Sequence, residues 1–408
     1  IISPEEKQLI DKIPTTSLAA YDLYQQGREA VRTYRSGFGQ EEAALRAESL
    51  YRRSLQHDST FAQAYLRLAS IFFLRLTKAN NPTLPDENLI DSGLFYLNTA
   101  LSYDDQLADA YIFKGMYHGR FRESKQALKM WEKAISINPN AAGPYTGMGW
   151  LYFTKGDYVK SIASFVKANS LDRGPELPAN LKHLGFALTS IGFFTEAKQA
   201  YLEALNLDGD SSSYYLRLSY VEYCAANYEK AIEASHNARS SGSKDPESWS
   251  IIGCSYLYLG QYEEALDYLQ KFTEELESLG QANPYYLPWV AYAYLQNGYT
   301  EESEKYVSEQ INMAEEWFRN RISGMEENYL RLAFVYAVMG KNDKAYENLS
   351  LYRETGHTSV NVVRSRNVPM FEKIRDEPEF DQIMTDLETI YKAEHERVRI
   401  WLEENDIL

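Results

Sequence analysis

Hydrophobic and small residues along the chain recur in a way that fits helices in pairs and nothing else. In the stretch 109–139, Tyr111, Gly115, Ala127, Trp131 and Ala134 mark two amphipathic faces, and Pro139 ends the second. The next stretch repeats the pattern with Tyr145, Gly149, Tyr152, Gly156, Tyr158, Phe165 and Ala168. The fullest copy is Trp249, Ile252, Gly253, Tyr256, Gly260, Tyr262, Ala265 and Leu269. Gly115, Gly149, Gly185, Ser219 and Gly253 follow one another at intervals of 34, 36, 34 and 34 residues. A period of that length, with a helical face in each half, predicts stacked helical hairpins. Small residues are needed where the two helices of a hairpin cross, because a bulky side chain there would hold the axes apart. Gly156, Gly192 and Gly260 mark the tight turns, and aromatics such as Trp131, Phe165 and Tyr201 are expected to fill the wedge between repeats.

Weaker copies extend the array both ways. Ala291, Tyr294 and Gly298 mark one unit; Ala333, Tyr336, Gly340 and Ala345 mark another, reached across a longer stretch from Ser308 to Asn328. Upstream, Tyr65, Leu68, Ala69 and Phe72 make a first helix whose partner, Gly93 to Asp105, follows late. The intervening Thr77–Asn88 carries Pro82, Pro85 and three asparagines and reads as an exposed loop. A first pair spans Ala20–Tyr34 and Glu41–Gln56. The expected fold is all-α, a solenoid of about nine hairpins over 20–356 forming one continuous domain. Residues 1–19 read as a lead-in and 357–408 as a loop with capping helices. In the tail, Phe380, Ile383, Met384, Leu387, Ile390 and Tyr391 share a face. Its continuation through Val398, Trp401 and Leu402 is longer than a cap requires, which leaves a partner or dimer contact open.

This pattern resembles the tetratricopeptide repeat (TPR) family over about residues 20–356, and the resemblance implies a right-handed superhelical TPR solenoid. The ends carry a narrower resemblance. Ser3-Pro4-Glu5-Glu6-Lys7, Ile13-Pro14-Thr15-Thr16 and Ala20-Tyr21-Asp22-Leu23-Tyr24-Gln25-Gln26-Gly27-Arg28 look like the junction after a TolB-like domain in bacterial signalling proteins. Pro369-Met370-Phe371 with Ile374-Arg375-Asp376-Glu377-Pro378-Glu379-Phe380 looks like the way such arrays close. The resemblance implies a carboxy-terminal sensory or interaction module behind a nucleotide cyclase or winged-helix domain. It would then lie on the periplasmic side of a membrane-anchored regulator, or in the cytoplasm where no anchor intervenes. The absence of an initiating Met agrees with a piece of something longer.

Charge narrows the partners. With 42 basic and 58 acidic residues the chain carries −16, which disfavours nucleic acid and anionic membrane surfaces alike. Leu68–Leu76 is the best apolar run, too short to span a bilayer and interrupted by Arg75, so no direct membrane insertion is expected. Ile1–Pro14 lacks the apolar run of a signal peptide. The 33 tyrosines favour half-exposed adhesive surfaces over a catalytic site.

No chemistry is visible in the motifs. His57, His118, His183, His236, His357 and His395 form no ligand pair and read mostly as solvated, so no metal, cofactor or catalytic residue is assigned. Cys224 and Cys254, offset by four along neighbouring helices, should be free thiols: about 6 Å of rise and about 9 Å between axes exceed disulfide reach. What remains is a surface. Positions one, four and five after each small residue face the concave side and read Trp150, Phe153, Phe186, Tyr220, Tyr223, Cys224, Leu257, Tyr258, Tyr292 and Phe334, broken by Ser190 and Gln296. The candidate binding groove is Trp150, Phe153, Phe186, Tyr220, Tyr223, Tyr258 and Tyr292. Ordinary helix packing in a tyrosine-rich protein would give the same stripe. The family's carboxylate clamp is not expected, since the matching places offer only Lys182 and Arg217.

The reading is a non-enzymatic scaffold that holds a protein or peptide segment, or its own upstream domain, in this groove. A small-molecule sensor controlling an output domain is the alternative. A structural spacer is the third reading, marked by a groove filled with the protein's own loops.

Overall fold

Paired amphipathic faces do form paired helices. The computed structural model describes residues 14–36, 41–78, 87–120, 123–279, 285–320 and 326–407, and all its regular elements are helical. Helix–helix contacts group the chain into two units, 1–144 and 145–408. The first holds three hairpins: α1 (Leu18–Ser36) with α2 (Glu41–His57), α3 (Ala62–Lys78) with α4 (Glu87–Tyr103), and α5 (Ala108–Arg120) with α6 (Ser124–Ile137). The loop expected over Thr77–Asn88 falls largely outside the described residues, as does most of the lead-in.

The second unit holds six hairpins. They are α7 (Gly143–Thr154) with α8 (Tyr158–Leu171), α9 (Leu177–Ser190) with α10 (Phe194–Asp208), and α11 (Ser211–Cys224) with α12 (Tyr228–Ser240). Then come α13 (Glu247–Tyr258) with α14 (Tyr262–Ser278), α15 (Leu287–Gln296) with α16 (Thr300–Asn320), and α17 (Glu327–Val338) with α18 (Asn342–Glu354). Much of the longer Ser308–Asn328 stretch is the extension of α16, a helix whose acidic first turn suits the positive end of its dipole.

The small positions work inside each hairpin. A β-carbon on Gly115 would lie 2.3 Å from the Trp131 ring, on Gly149 2.5 Å from Phe165, and on Gly185 2.7 Å from Tyr201. Each ring, sixteen residues after its glycine, occupies the notch that the missing side chain leaves. This corrects the expected placement: Trp131, Phe165 and Tyr201 are keyed to their own hairpin's glycine rather than only wedged between repeats. They are almost wholly buried. In α11/α12 the same pair is Ser219 and Ser235, both buried, and in α13/α14 it is Gly253 and Leu269, where a β-carbon on the glycine would lie 2.6 Å from the leucine side chain.

After Gly356 the chain is less loop-like than its composition suggests. It forms a short helix α19 (Val360–Ser365), a 3-10 turn (Pro369–Phe371) and the long α20 (Pro378–Glu404). Val362, Val368, Phe371, Phe380, Met384 and Leu387 are fully buried in the unit's main core. The far end of α20 does more than cap the last hairpin. Val398 and Leu402 are buried among Tyr158, Ile191 and Phe193, with Trp401 alongside, so the apolar tail packs on α8 and the α9/α10 turn of its own chain. Tyr391 donates to the carbonyl of Ile191 at 3.0 Å, and the backbone N–H of Tyr158, at the start of α8, donates to Glu394 at 2.9 Å. That carboxylate satisfies an otherwise orphaned donor at a helix N-terminus. Burial lifts Glu394 above the ordinary carboxylate range, against the pull of Arg397.

Candidate functional site

The stripe read from sequence is assembled on the first helices of the second unit. Trp150 and Phe153 come from α7, Phe186 from α9, Tyr220 and Tyr223 from α11, Tyr258 from α13 and Tyr292 from α15. Ring centroids of Trp150 and Phe153 are 5.5 Å apart, Phe153 and Phe186 5.3 Å, and Phe186 and Tyr220 5.7 Å in a near-parallel stack. A second run joins Tyr223 to Tyr258 at 6.0 Å, Tyr258 to Trp289 at 5.4 Å and Trp289 to Phe334 at 6.0 Å. Tyr292 stands beside this run against Tyr262, 6.2 Å away. Such offset and edge-on spacings are the favourable arrangements for aromatic pairs.

Sequence reasoning missed two members. Trp289 lies two positions before Ala291, outside the offsets used to pick inward residues. Tyr228 opens α12 and reaches the wall from the hairpin turn, stacked on Tyr258 at 4.6 Å and 9°. Its place directly after a turn was the only available signal.

The wall is covered by the protein's own chain. Residues 357–371 run along it: the Arg364 guanidinium lies 3.8 Å from the centre of the Tyr223 ring and 5.1 Å from that of Tyr258. The Tyr292 hydroxyl donates to the Pro369 carbonyl at 3.4 Å, and Phe371 packs on Phe334 at 5.3 Å. Tyr223 and Tyr292 are consequently only 6% and 5% exposed, whereas Trp150, Phe153, Phe186, Tyr220 and Tyr258 are partly buried. Burial holds the Tyr220 and Tyr223 hydroxyls well above the usual phenol range, with Arg364 pulling Tyr223 the other way. The segment is moored at its start by Tyr352, whose hydroxyl lies 3.2 Å from Glu327 and 3.1 Å from His357.

Three histidines expected in solvent are packed instead. His183 lies edge-on to Trp150 at 5.2 Å, and burial, helped by Arg217, pushes its imidazole down to about 4. His357 is buried, and His395 stacks on Phe193 at 4.5 Å. His183 meets rings of the adjacent hairpin, His357 meets Tyr352 and Glu327 of the last hairpin, and His395 reaches from α20 to the α9/α10 turn. Lys182 and Arg217 are engaged in cis, Lys182 with Asp208 at 2.8 Å and Arg217 with Glu247 at 3.8 Å. Cys224 and Cys254 are free thiols, both buried, and burial raises both above the ordinary thiol range. Among the described residues no group of three or more His, Cys, Asp or Glu could hold a metal ion, and no helix is long and apolar enough to cross a membrane.

Comparison with known proteins bears on the hairpins. The tetratricopeptide repeat model matches residues 142–175 and 246–275, which are hairpins α7/α8 and α13/α14. A TPR repeat-containing protein of Methanocaldococcus jannaschii is 25% identical over 198 residues, 47% of this chain and 33% of its own length. The human cell division cycle protein 16 homolog is 24% identical over 160 residues, 37% of this chain and 26% of its own. The chain thus spans a third or less of these curated relatives. Among solved structures, a tetratricopeptide repeat protein from Parabacteroides merdae aligns with a TM-score of 0.46 at 12% identity, covering 67% of this chain and 97% of its own. PilF of Pseudomonas aeruginosa aligns at 0.42 and 18%, covering 54% and 98%. Hairpins α7/α8 and α13/α14 are therefore matched as tetratricopeptide repeats, in a chain whose described elements are all helical.

Proposed function

We propose that the chain is a non-enzymatic protein-binding scaffold whose aromatic wall, centred on Trp150, Tyr220, Tyr223 and Tyr258, takes a peptide segment. One observation carries this reading: a stretch of polypeptide, residues 357–371, already lies along the wall and meets it ring to side chain. A surface complementary to a peptide in cis has the rigid aromatic anchors that dominate binding energy in trans. The resemblance at the two ends supports a place as the interaction module of a larger bacterial regulator, with the upstream domain as one candidate partner.

The same observation is also the mark of the structural spacer, in which the wall only closes the protein's own core. The two separate experimentally. Proteins captured by the full chain from an extract of its source cell are titrated against Trp150→Ala and Tyr220→Ala. The scaffold reading expects roughly thirtyfold weaker binding or worse, about 2 kcal/mol, with less loss of stability than Trp131→Ala. Folded variants that keep full affinity leave the closure reading standing.

A further inference from the structure

The segment on the wall is held in an unusual way, and its chemistry names the partner. Tyr228 and Tyr258 are parallel and stacked, and Tyr223 stands across them, its ring 6.2 Å from Tyr228 at 64° and 6.0 Å from Tyr258 at 69°. Three rings so disposed make a cage, and the guanidinium of Arg364 sits against it. Aromatic faces attract cations through their negative π clouds, most strongly where water is shut out. Asn361 Oδ1 accepts from Arg364 Nη1 at 3.2 Å, and the hydroxyls of Tyr223, Tyr228 and Tyr258 also interact with the guanidinium. The Nε and Nη2 of Arg364 are buried without a well-aligned hydrogen bond, and no carboxylate lies within ion-pair distance of the guanidinium among the described residues.

Arg366, two residues on, is the contrast. It bonds Glu388 at 2.5 Å, Asp381 at 2.6 Å and Thr385 at 3.2 Å. The extended segment leading into α19 is also poorly satisfied: Thr358 Oγ1 and Ser359 Oγ are buried without partners. Buried polar groups left unpaired raise the free energy of the state that contains them. Residues 358–364 are thus an imperfect occupant of a cage suited to a guanidinium, flanked by well-anchored chain on either side.

We propose that Tyr223, Tyr228 and Tyr258 form an arginine-reading cage, and that its partner is a cationic protein segment presenting an arginine beside β-branched residues. This rests on the scaffold reading and names its ligand chemistry. Arg364, between Val363 and Ser365 and following Val360 and Val362, is the resident stand-in that such a segment displaces. The chain's net charge of −16 draws a cationic segment toward it and disfavours an acidic one.

The test uses the full chain and a labelled peptide copying residues 357–371, with versions carrying Ala or Lys in place of its central arginine. Anisotropy titrations are run on the wild-type chain and on Arg364→Ala. The expected result is binding to Arg364→Ala at least roughly tenfold tighter for the arginine peptide than for the alanine peptide, weaker binding to wild type, and loss of the preference in Tyr258→Ala. A folded Arg364→Ala chain that binds no peptide, or binds all three alike, overturns the cage. Where Arg364→Ala fails to fold, wild type carries the test by hydrogen exchange. Excess arginine peptide should speed exchange over 360–365 and leave 380–402 unchanged; unaltered exchange over 360–365 overturns the proposal. Failure of the cage with partner capture and its dependence on Trp150 intact leaves the scaffold reading in place, whereas loss of both removes it as well.

Discussion

The turns of the second unit's hairpins are locally alike and globally different. Gly156, Gly192, Gly260, Gly298 and Gly340 all close a hairpin with positive φ, between 68° and 91°, the left-handed conformation that side chains resist. Around Gly260, Gly298 and Gly340 a β-carbon would meet nothing within 4 Å. At Gly156 it would lie 3.5 Å from the backbone of His357, and at Gly192 2.4 Å from the Tyr391 hydroxyl. One repeat rule makes the turn in each case. The returning C-terminal chain then converts two of the turns from solvent-facing bends into anchor points. A motif repeated in sequence is therefore not repeated in energetic role.

The largest test of that contrast removes the anchor. Val398→Asp places a charge at a fully buried site on α20 and should cost about 3–5 kcal/mol. Hydrogen exchange should show the loss first at the turns around Gly156 and Gly192, with those at Gly260 and Gly298 little changed. Uniform loss over all turns would mean that α20 stabilises the array globally and that the contrast is false.

Acid should expose the same region next. His183 titrates at about 4 in the fold against ~6.5 free, so the unfolded chain takes up its proton first. Stability that is full above pH ~6.5 falls as pH drops toward 4, by about 3 kcal/mol in all. The difference between wild type and His183→Leu in urea midpoints should accordingly narrow or reverse from pH 7 to pH 4. A difference independent of pH would show that the imidazole is not shut in against Trp150.

At the turns themselves, Gly192→Ala should cost about 2–3 kcal/mol, from backbone strain and the clash with Tyr391. Adding Tyr391→Phe, which removes the clashing hydroxyl, should recover part of that. Gly260→Ala, with strain alone, should cost about 1 kcal/mol. Equal costs at the two glycines would erase the comparison.

The smallest effect runs the other way. The α11/α12 turn has Ala226 at φ 59° where its neighbours have glycine, and Ala226→Gly should stabilise by up to about 1 kcal/mol. A destabilised variant would show that the alanine is accommodated there without strain.

The periodicity of small and aromatic residues made the hairpins legible, because helix pairing is decided by faces only three or four residues deep in sequence. It also picked out most of the wall, since inward positions recur at fixed offsets from each crossing. Trp289 and Tyr228 escaped because they reach the wall from outside those offsets, one before the crossing and one from a turn. The packed histidines escaped for a different reason: their neighbours lie in other hairpins or in the returning tail.

By itself, then, the sequence determined the repeat, the helical hairpins, the small residues at each crossing and the row of rings on the first helices. All of these rest on contacts within a hairpin or between adjacent ones. Only the tertiary structure decided what that row of rings touches. Residues 357–371 and α20 have no repeat to betray their destination, and Arg364 reads as one more surface arginine beside Arg366. Their resting place depends on bringing Tyr223 to Arg364 and Ile191 to Tyr391, contacts across more than a hundred residues, which loop closure and burial settle together and local pattern does not encode.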